Sequence, residues 1–482
     1  MFISSNPTVN LHGLSVMQHL RVKIIASIGP SSGSPEVILR LAELGVSGFR
    51  INFAHGEPSL WREWAEYVRE AERKTGRPLA LIGDLVGPSI RLGRVKNPIK
   101  LNAGDRAEFR CVEESEGGDT KIIPLPVRRV YEVLDEGDLI VMDDGRVRLR
   151  VLEVSGYSAI VEALTPATIT SRKAIAIRGK DPGLPTLSQR DVEHVKFALD
   201  NGFDYIALSH VRTRDDVDAL RLIVLREGGD AGIAVKIENK SAVENLQDII
   251  RAADLVVVAR GDLGMTYGLE EVPVLQERIV AAARSVGKPV IVATQLLESM
   301  IENPVPTRAE VTDVYVAVRQ GVDGLMLTGE TAIGRYPIEA IRWLRKIITR
   351  AEQVLHIERY TPKDKRWAYA ASIVETAEKL SAALILVYSI TGSLPPWIAA
   401  SRPMVPVVIG TGSPQRARRL AVLWGLDVRI VEAGGYEEGL AKLEDVLSEE
   451  GLLSEGDVIV EAYRETEHKQ VIVVKRVFKG LT

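Results

Sequence analysis

The chain has 482 residues, 46% hydrophobic and 26% charged, a globular composition that excludes extended disorder and allows two to four domains. Its 61 Lys and Arg stand against 65 Asp and Glu, so no bulk basic field draws it to nucleic acid and any anionic ligand needs a local site. Cys111 is the only cysteine, which rules out an internal disulfide framework or a cysteine-based metal cluster.

The opening stretch MFISSNPTVNLHGLSVMQHL lacks the cationic segment, apolar run and cleavage site of a signal peptide, and no window reaches the length of a membrane span. A cytoplasmic protein with no membrane partner is expected. Short runs rich in Val, Ile and Leu then recur, each followed by a stretch with helical spacing of its apolar residues. They are KIIASI from Lys23, VSGFRIN from Val46, LALIGDL from Leu79, DYIALS from Asp204, GIAVKIE from Gly232, DLVVVARG from Asp254, PVIVATQ from Pro289 and VDGLMLTG from Val322. Continuous apolar strands alternating with amphipathic helices predict a parallel sheet, and a count of eight closes it into a TIM (β/α)8 barrel.

Polar residues stand where these runs stop: Asn52, Asp84, Ser209, Lys236 with Glu238, Arg260 with Asp262, Thr294 with Gln295, and Thr328 with Glu330. In a barrel those strand ends converge on the face that carries the active site.

More than a hundred residues separate the third run from the fourth. The surplus reads as an inserted β-barrel lid domain, residues 92–180, with short alternating strands such as DLIVMDDGRVRLRVLEV and YSAIVEAL, while helical spacing largely disappears. Leaving the active-site face and returning to it, this domain is placed to exclude water. The barrel then comprises 1–91 and 181–355. Residues 356–482 form a C-terminal α/β regulatory domain, in which ALILVYS, VPVVIG, DVRIV, DVIVEA and QVIVVKRV alternate with helices.

Lys236, Glu238 and Asp262 put two carboxylates and a lysine at adjacent strand ends. Hard oxygen ligands without neighbouring His or Cys suit Mg²⁺ or Mn²⁺, and the lysine suits an anionic substrate whose charge grows during phosphoryl transfer or enolate formation. The plainer alternative is a structural ion pair between Lys236 and Asp262. Arg50, Asn52 and His55 after the second run, with Asp84 and Arg91 after the third, form another cluster, in which the guanidinium forks suit phosphate oxygens. His55 could equally be a helix cap or a surface residue. Gly87 and Pro88 read as the turn leading to the insertion. The Thr294 hydroxyl can donate a hydrogen bond or a proton path. TGETAIG reads as scaffold, with Thr331 capping a helix.

These segments resemble the pyruvate kinase family along nearly the whole chain: KIIASIGPSS, FRINFAHG, GDLVGPSIRLG, MDDG, LPTLSQRD, VKIENKSAVEN, VARGDLGM, KPVIVATQLLESMI, PTRAEVTDV and LTGETAIGRYPIEA. The resemblance implies transfer of the phosphoryl group of phosphoenolpyruvate to ADP, giving pyruvate and ATP. It implies phosphoryl stabilisation by Lys236, divalent-cation binding by Glu238 and Asp262, and a phosphoryl clamp at Arg50. Gly261 and Thr294 would contact the substrate carboxylate, and Thr294 with a water would protonate enolpyruvate. Asn52, His55, Arg91, Lys173 and the lid residue Asp143 match nucleotide-binding positions. At the monovalent-cation site only Asn52 and Asp84 remain: Ala54 and Leu85 replace a Ser and a Thr, and Ser89 replaces a Glu, so activity without K⁺ is expected. His210 stands where Phe is usual. Thr391, Gly392 and Ser393 match a loop that binds a phosphorylated allosteric effector, and a homotetramer is implied. Two rivals share some of these features: a Mg²⁺-dependent barrel lyase acting on pyruvate enolate, and a catalytically silent phosphometabolite sensor.

Overall fold

The computed structural model describes residues 20–143, 145–354, 358–464 and 469–478. The N-terminal stretch, Asp144 of MDDG and the expected boundary at residue 355 lie outside the described residues. Strands β1 (Lys23–Ile28), β2 (Val46–Asn52), β3 (Ala80–Asp84), β4 (Tyr205–Leu208), β5 (Gly232–Ile237), β6 (Leu255–Ala259), β7 (Val290–Ala293) and β8 (Gly324–Leu327) form a closed barrel. All pair in parallel, and β8 returns to β1 with Lys23 opposite Gly324. Alternate residues share the work: Ile25, Ile82, Leu255 and Ile291 fill the barrel interior, while Ile24, Ala26 and Ile28 pack outward under the helices. With both strand faces buried, the polar alternation of a half-exposed strand is absent and the runs read as continuously apolar.

Two of the segments that carry the resemblance are helix starts. In LPTLSQRD, Ser188 and Asp191 form a capping box on helix Gln189–Asp200. In PTRAEV, Thr307 and Glu310 do the same for Arg308–Arg319. Asp191 also accepts the backbone N–H of Gly87 at 3.3 Å, fixing the turn that leaves the barrel. Gly87 has φ +63°, the left-handed conformation that a glycine adopts freely.

Between β3 and β4 the chain builds a six-stranded sheet ordered Ala176–Ile177, Leu139–Met142, Val147–Ser155, Ser158–Ala163, Arg106–Arg110, Ile122–Pro124. The sheet curls around its own core of Phe109, Ile140, Met142, Leu149 and Val161, with its two edge strands unpaired to each other among the described residues. One helix, Arg128–Val133, interrupts it, contrary to the purely β expectation; with only six residues it is too short to show a helical period.

The C-terminal sheet has β9 (Leu384–Tyr388), β10 (Val407–Thr411), β11 (Leu426–Ile430), β12 (Val458–Arg464) and β13 (Gln470–Arg476), ordered β11-β10-β9-β12-β13. Strands β9 to β12 are parallel, but β13 returns antiparallel along β12, and among the described residues no helix separates those two. The expected strand and helix alternation stops one element early. This domain covers the barrel floor, the end opposite the strand C-termini. Lys23 donates to the Leu426 carbonyl at 2.7 Å, Arg402 grips Asp323 with bonds of 2.8 and 3.0 Å, and Arg418 grips Glu72.

Candidate active site

The polar strand ends do meet at one mouth. The Lys236 ammonium, near the end of β5, donates to Ser209 Oγ at 3.0 Å and lies 3.2 Å from Glu238 Oε2 and 3.7 Å from Asp84 Oδ2. Burial is the strongest single influence and favours the neutral amine; the charges of Asp84, Glu238 and Asp262 together outweigh it, so its pKa rises above the ordinary lysine value. The lysine is therefore a fixed cation. Lys236 contacts Asp84, Glu238 and Ser209 and also feels the charge of Asp262, so it stands in a network wider than a simple Lys236–Asp262 pair.

Glu238 is 1% exposed. Its Oε1 accepts the His210 backbone N–H at 2.6 Å and lies 3.5 Å from His210 Nδ1. Its Oε2 is sealed from solvent and accepts no hydrogen bond despite the nearby ammonium. A dry carboxylate oxygen without a donor suits a cation ligand. Asp262 lies in the first turn of helix Arg260–Thr266 and adds its charge to the same field. Among the described residues no three His, Cys, Asp or Glu side chains form a ready-made cage. Mg²⁺ takes one or two carboxylates and completes its shell with substrate oxygens and water, and Glu238 with Asp262 could supply those two.

Arg50 and Asp84, at the ends of β2 and β3, join the lysine rather than forming a second cluster. Arg50 Nε donates to Asp84 Oδ2 at 2.7 Å and Nη1 to Ser27 Oγ at 3.1 Å, while Ser209 Oγ donates to the other carboxylate oxygen of Asp84 at 3.2 Å. Burial pushes the Asp84 carboxyl up, and Lys236 and Arg50 more than reverse this, holding it below the usual carboxylate range. Asp84 thus orients both cations from behind. A guanidinium has five N–H donors, so Arg50 keeps spare ones for a ligand in the mouth.

Thr294 and Gln295 follow β7 with φ of +69° and +52°. Arg260 holds this turn: Nη2 donates to the Thr294 carbonyl at 2.7 Å and to the Gln295 carbonyl at 2.6 Å, while Nη1 pairs with Asp313. Thr294 Oγ1 accepts the Gly261 N–H at 2.8 Å, which brings the two expected carboxylate contacts together. Among the described residues its own hydroxyl hydrogen has no acceptor in the protein.

Around the rim, Asn52 Oδ1 is engaged by the Ala54 N–H at 3.0 Å. His55 is exposed and does not cap the following helix, whose N-cap is Glu57. Partial desolvation of the ring, then the charges of Arg91 and Arg50, lower its pKa below the ordinary imidazole value. Arg91 forms a bridge with Ala174 and donates to the Arg172 carbonyl at 3.1 Å, so it is fastened to the returning lid segment. Lys173 and Asp143 form an ion pair with each other. Thr331 does not cap a helix: buried, it donates to the Ser27 carbonyl at 2.8 Å, tying helix Gly329–Ala332 to β1. Glu330 is scaffold as well, receiving the N–H groups of Leu297 and Thr328.

Residues 19–341 match the family profile "Pyruvate kinase, barrel domain" and residues 368–470 match "Pyruvate kinase, alpha/beta domain". The chain belongs to the pyruvate kinase family. The pyruvate kinase of Aeropyrum pernix is 40% identical over 445 residues, 92% of this chain and 95% of that one. The pyruvate kinase of Agrobacterium vitis is 36% identical over 455 residues, covering 92% and 93%. The crystal structure of pyruvate kinase from Pyrobaculum aerophilum superposes with a TM-score of 0.85 at 37% identity, over 96% of this chain and all of that one. As a member of the pyruvate kinase family the chain is a phosphotransferase enzyme. Sequence reasoning named Ser209 and Arg260 only as strand ends, and missed Ser27 and Asp313. Their signal was weak because a serine or a helix aspartate acquires meaning only through the strand it faces.

Far from the barrel mouth, Thr391, Gly392 and Ser393 form the loop after β9. Thr391 and Ser393 share a hydrogen bond of 2.9 Å, and Gly392, with φ +75°, donates its N–H to Ser389 Oγ at 3.1 Å. A Cβ on Gly392 would meet Arg416 Cδ at 2.8 Å, and Arg416 Nε is buried without a hydrogen bond. Arg416 is a neighbour that the sequence reading did not find.

Proposed function

We propose that this enzyme transfers the phosphoryl group of phosphoenolpyruvate to ADP, giving pyruvate and ATP, with Mg²⁺ or Mn²⁺ as cofactor. The observation that carries this reading is the Lys236 ammonium fixed between Asp84 and Glu238, with the dry Glu238 Oε2 and the spare donors of Arg50 alongside. Glu238 and Asp262 would hold the divalent cation, which supplies neutralisation of charge on phosphoryl oxygens when bound. Arg50 grips the phosphoryl group with a planar fork, and Lys236 meets the charge that spreads over its oxygens in the transition state. Gly261 and Thr294 receive the substrate carboxylate. The Thr294 hydroxyl, accepting from Gly261 and still able to donate, starts a proton path through water to the enolpyruvate carbon. Asn52, His55, Arg91, Lys173 and Asp143 line the nucleotide side, and residues 92–180 serve as the lid over the barrel of 1–91 and 181–355.

Activity without K⁺ belongs to the same reading. Leu85 is 1% exposed and packs into the barrel core, and Ala54 offers no side-chain oxygen. The negative charge of Asp84 is already met by Arg50 and Lys236. A coupled steady-state assay tests both claims: phosphoenolpyruvate and ADP should give pyruvate, and removing K⁺ should leave the rate largely intact. Absence of ADP-dependent pyruvate release overturns the assignment. A K⁺-free rate below about a tenth of the K⁺-supplemented rate, a loss of more than ~1.4 kcal/mol in barrier terms, overturns the second claim alone.

The loop at Thr391, Gly392 and Ser393, backed by Arg416, supports a phosphorylated effector on the regulatory domain 356–482, assayed by adding phosphometabolites at subsaturating substrate. A cytoplasmic homotetramer completes the reading. Among the described residues no helix is long and apolar enough to cross a membrane.

A further inference from the structure

We propose that Arg178, on the returning strand of the lid, is a further binding residue for the phosphates of the nucleoside diphosphate; this rests on the phosphotransferase reading above. Arg178 extends strand Ala176–Ile177, its backbone N–H donating to the Leu139 carbonyl at 2.9 Å. Side chains alternate across a strand. Ile175 and Ile177 belong to the lid core, so Ala176 and Arg178 stand on the other face. On the partner strand Leu139–Met142, Ile140 and Met142 are in that core; Val141 is fully buried and outside it. That second face is therefore covered by something other than the lid.

The cover includes the active-site helix. The Gly179 N–H, one residue beyond Arg178, donates to the Thr266 carbonyl at 3.2 Å, at the end of helix Arg260–Thr266 that carries Asp262. Thr266 Oγ1 in turn donates to the Glu238 carbonyl at 3.3 Å. Two hydrogen bonds thus connect the residue after Arg178 to the main chain of Glu238.

What singles out Arg178 is a sealed nitrogen that lacks a partner. The two lysines nearest it in sequence are neutralised: Lys173 pairs with Asp143, and Lys180 with Asp135 and Asp138 at 2.6 Å. Among the described residues the Arg178 side chain has no ion-pair or hydrogen-bond partner, and its Nε is sealed from solvent. A partly dried guanidinium without a counter-ion costs free energy that an anion would recover, and its planar fork fits phosphate oxygens. The phosphoryl substrate deep in the mouth is already served by Arg50 and Lys236. A cation on the lid face, on the segment that carries Lys173, the partner of Asp143, is placed to meet the diphosphate of the nucleotide rather than the phosphoryl group deep in the mouth.

Arg178→Gln and Arg178→Lys test this in the full-length enzyme. Kinetics would give KM for ADP and for phosphoenolpyruvate, and calorimetry the Kd of ADP with Mg²⁺. Losing one or two charge-assisted hydrogen bonds should raise KM and Kd for ADP in Arg178→Gln by ~10-fold or more. KM for phosphoenolpyruvate and the melting temperature should hold, and Arg178→Lys should fall between. An unchanged ADP Kd, or an equal rise for both substrates, overturns the proposal. If the wild type lacks phosphoenolpyruvate turnover, the parent reading fails, while the calorimetric Kd still decides whether Arg178 binds nucleotide.

Discussion

Lys236 Nζ lies 3.2 Å from Glu238 Oε2, yet that oxygen accepts no hydrogen bond, and the ammonium bonds to Ser209 Oγ at 3.0 Å. Each member of the pair keeps capacity for a ligand. Lys236→Met removes the cation and keeps most of the side-chain volume, so kcat should fall by ~10³-fold or more with the secondary structure retained. A circular-dichroism spectrum alongside single-turnover rates checks this, and a loss under tenfold counts against the role.

Glu238→Gln should separate metal binding from chemistry. The amide still fills the space beside His210 but offers no anionic oxygen to a divalent cation. Mn²⁺ affinity, read by electron paramagnetic resonance of the free ion, should weaken by at least ~10-fold. Unchanged Mn²⁺ binding would place the metal elsewhere.

Oxygen ligands restored at the monovalent-cation site should bring K⁺ dependence with them. In the combined variant Ala54→Ser, Leu85→Thr and Ser89→Glu, K⁺ should raise kcat/KM several-fold while leaving the wild type nearly indifferent. The Leu85→Thr change also places a hydroxyl in the barrel core, so a fall in stability of ~1–3 kcal/mol is expected. Rates with and without K⁺ give the answer; a variant as indifferent as the wild type refutes the account.

The contact of Lys23 with the C-terminal domain predicts a pH effect. Burial lowers its pKa to about 8, with Asp427 the leading opposing charge. A lysine whose folded pKa lies below its unfolded value binds fewer protons when folded, so stability rises with pH between about 8 and the ordinary lysine value. Lys23→Met should flatten that rise. Denaturant midpoints from pH ~7 to ~11, which bracket the lowered and the ordinary lysine values, would show it as a difference between the two proteins.

Arg402 and Asp323 are each 3% exposed at the side chain and bridge the C-terminal domain to the foot of β8. Removing one partner strands a charge in a dry place. Asp323→Ala should therefore cost ~3–5 kcal/mol, read as a lower urea midpoint, whereas replacing both with apolar residues should cost much less. Equal losses in the two variants would argue against this electrostatic explanation.

The barrel was legible because β1 to β8 are buried on both faces and read as unbroken apolar runs, and because their polar ends stand out against those runs. Lys236, Glu238, Asp84 and Arg50 were visible for the same reason. That Asp84 lies between Arg50 and Lys236 was not, since neighbour relations around a barrel depend on register and tilt. Helix Arg128–Val133 escaped notice because six residues give less than two turns of pattern. The antiparallel return of β13 was hidden too, as an apolar run carries no sign of its direction. Arg178 carries no sequence signal of its own; its sealed nitrogen without a partner emerges only from the fold.

The turn at Thr294 and Gln295 keeps two successive side-chain-bearing residues in the left-handed region, a conformation worth of order 1–3 kcal/mol of strain at each. Arg260 clamps their carbonyls from behind. Glycine at either position would relax the backbone and raise the melting point, while loosening the hydroxyl that Gly261 addresses. Selection for heat resistance at this turn therefore runs against selection for turnover, and a thermostable variant should acquire its gains elsewhere in the barrel.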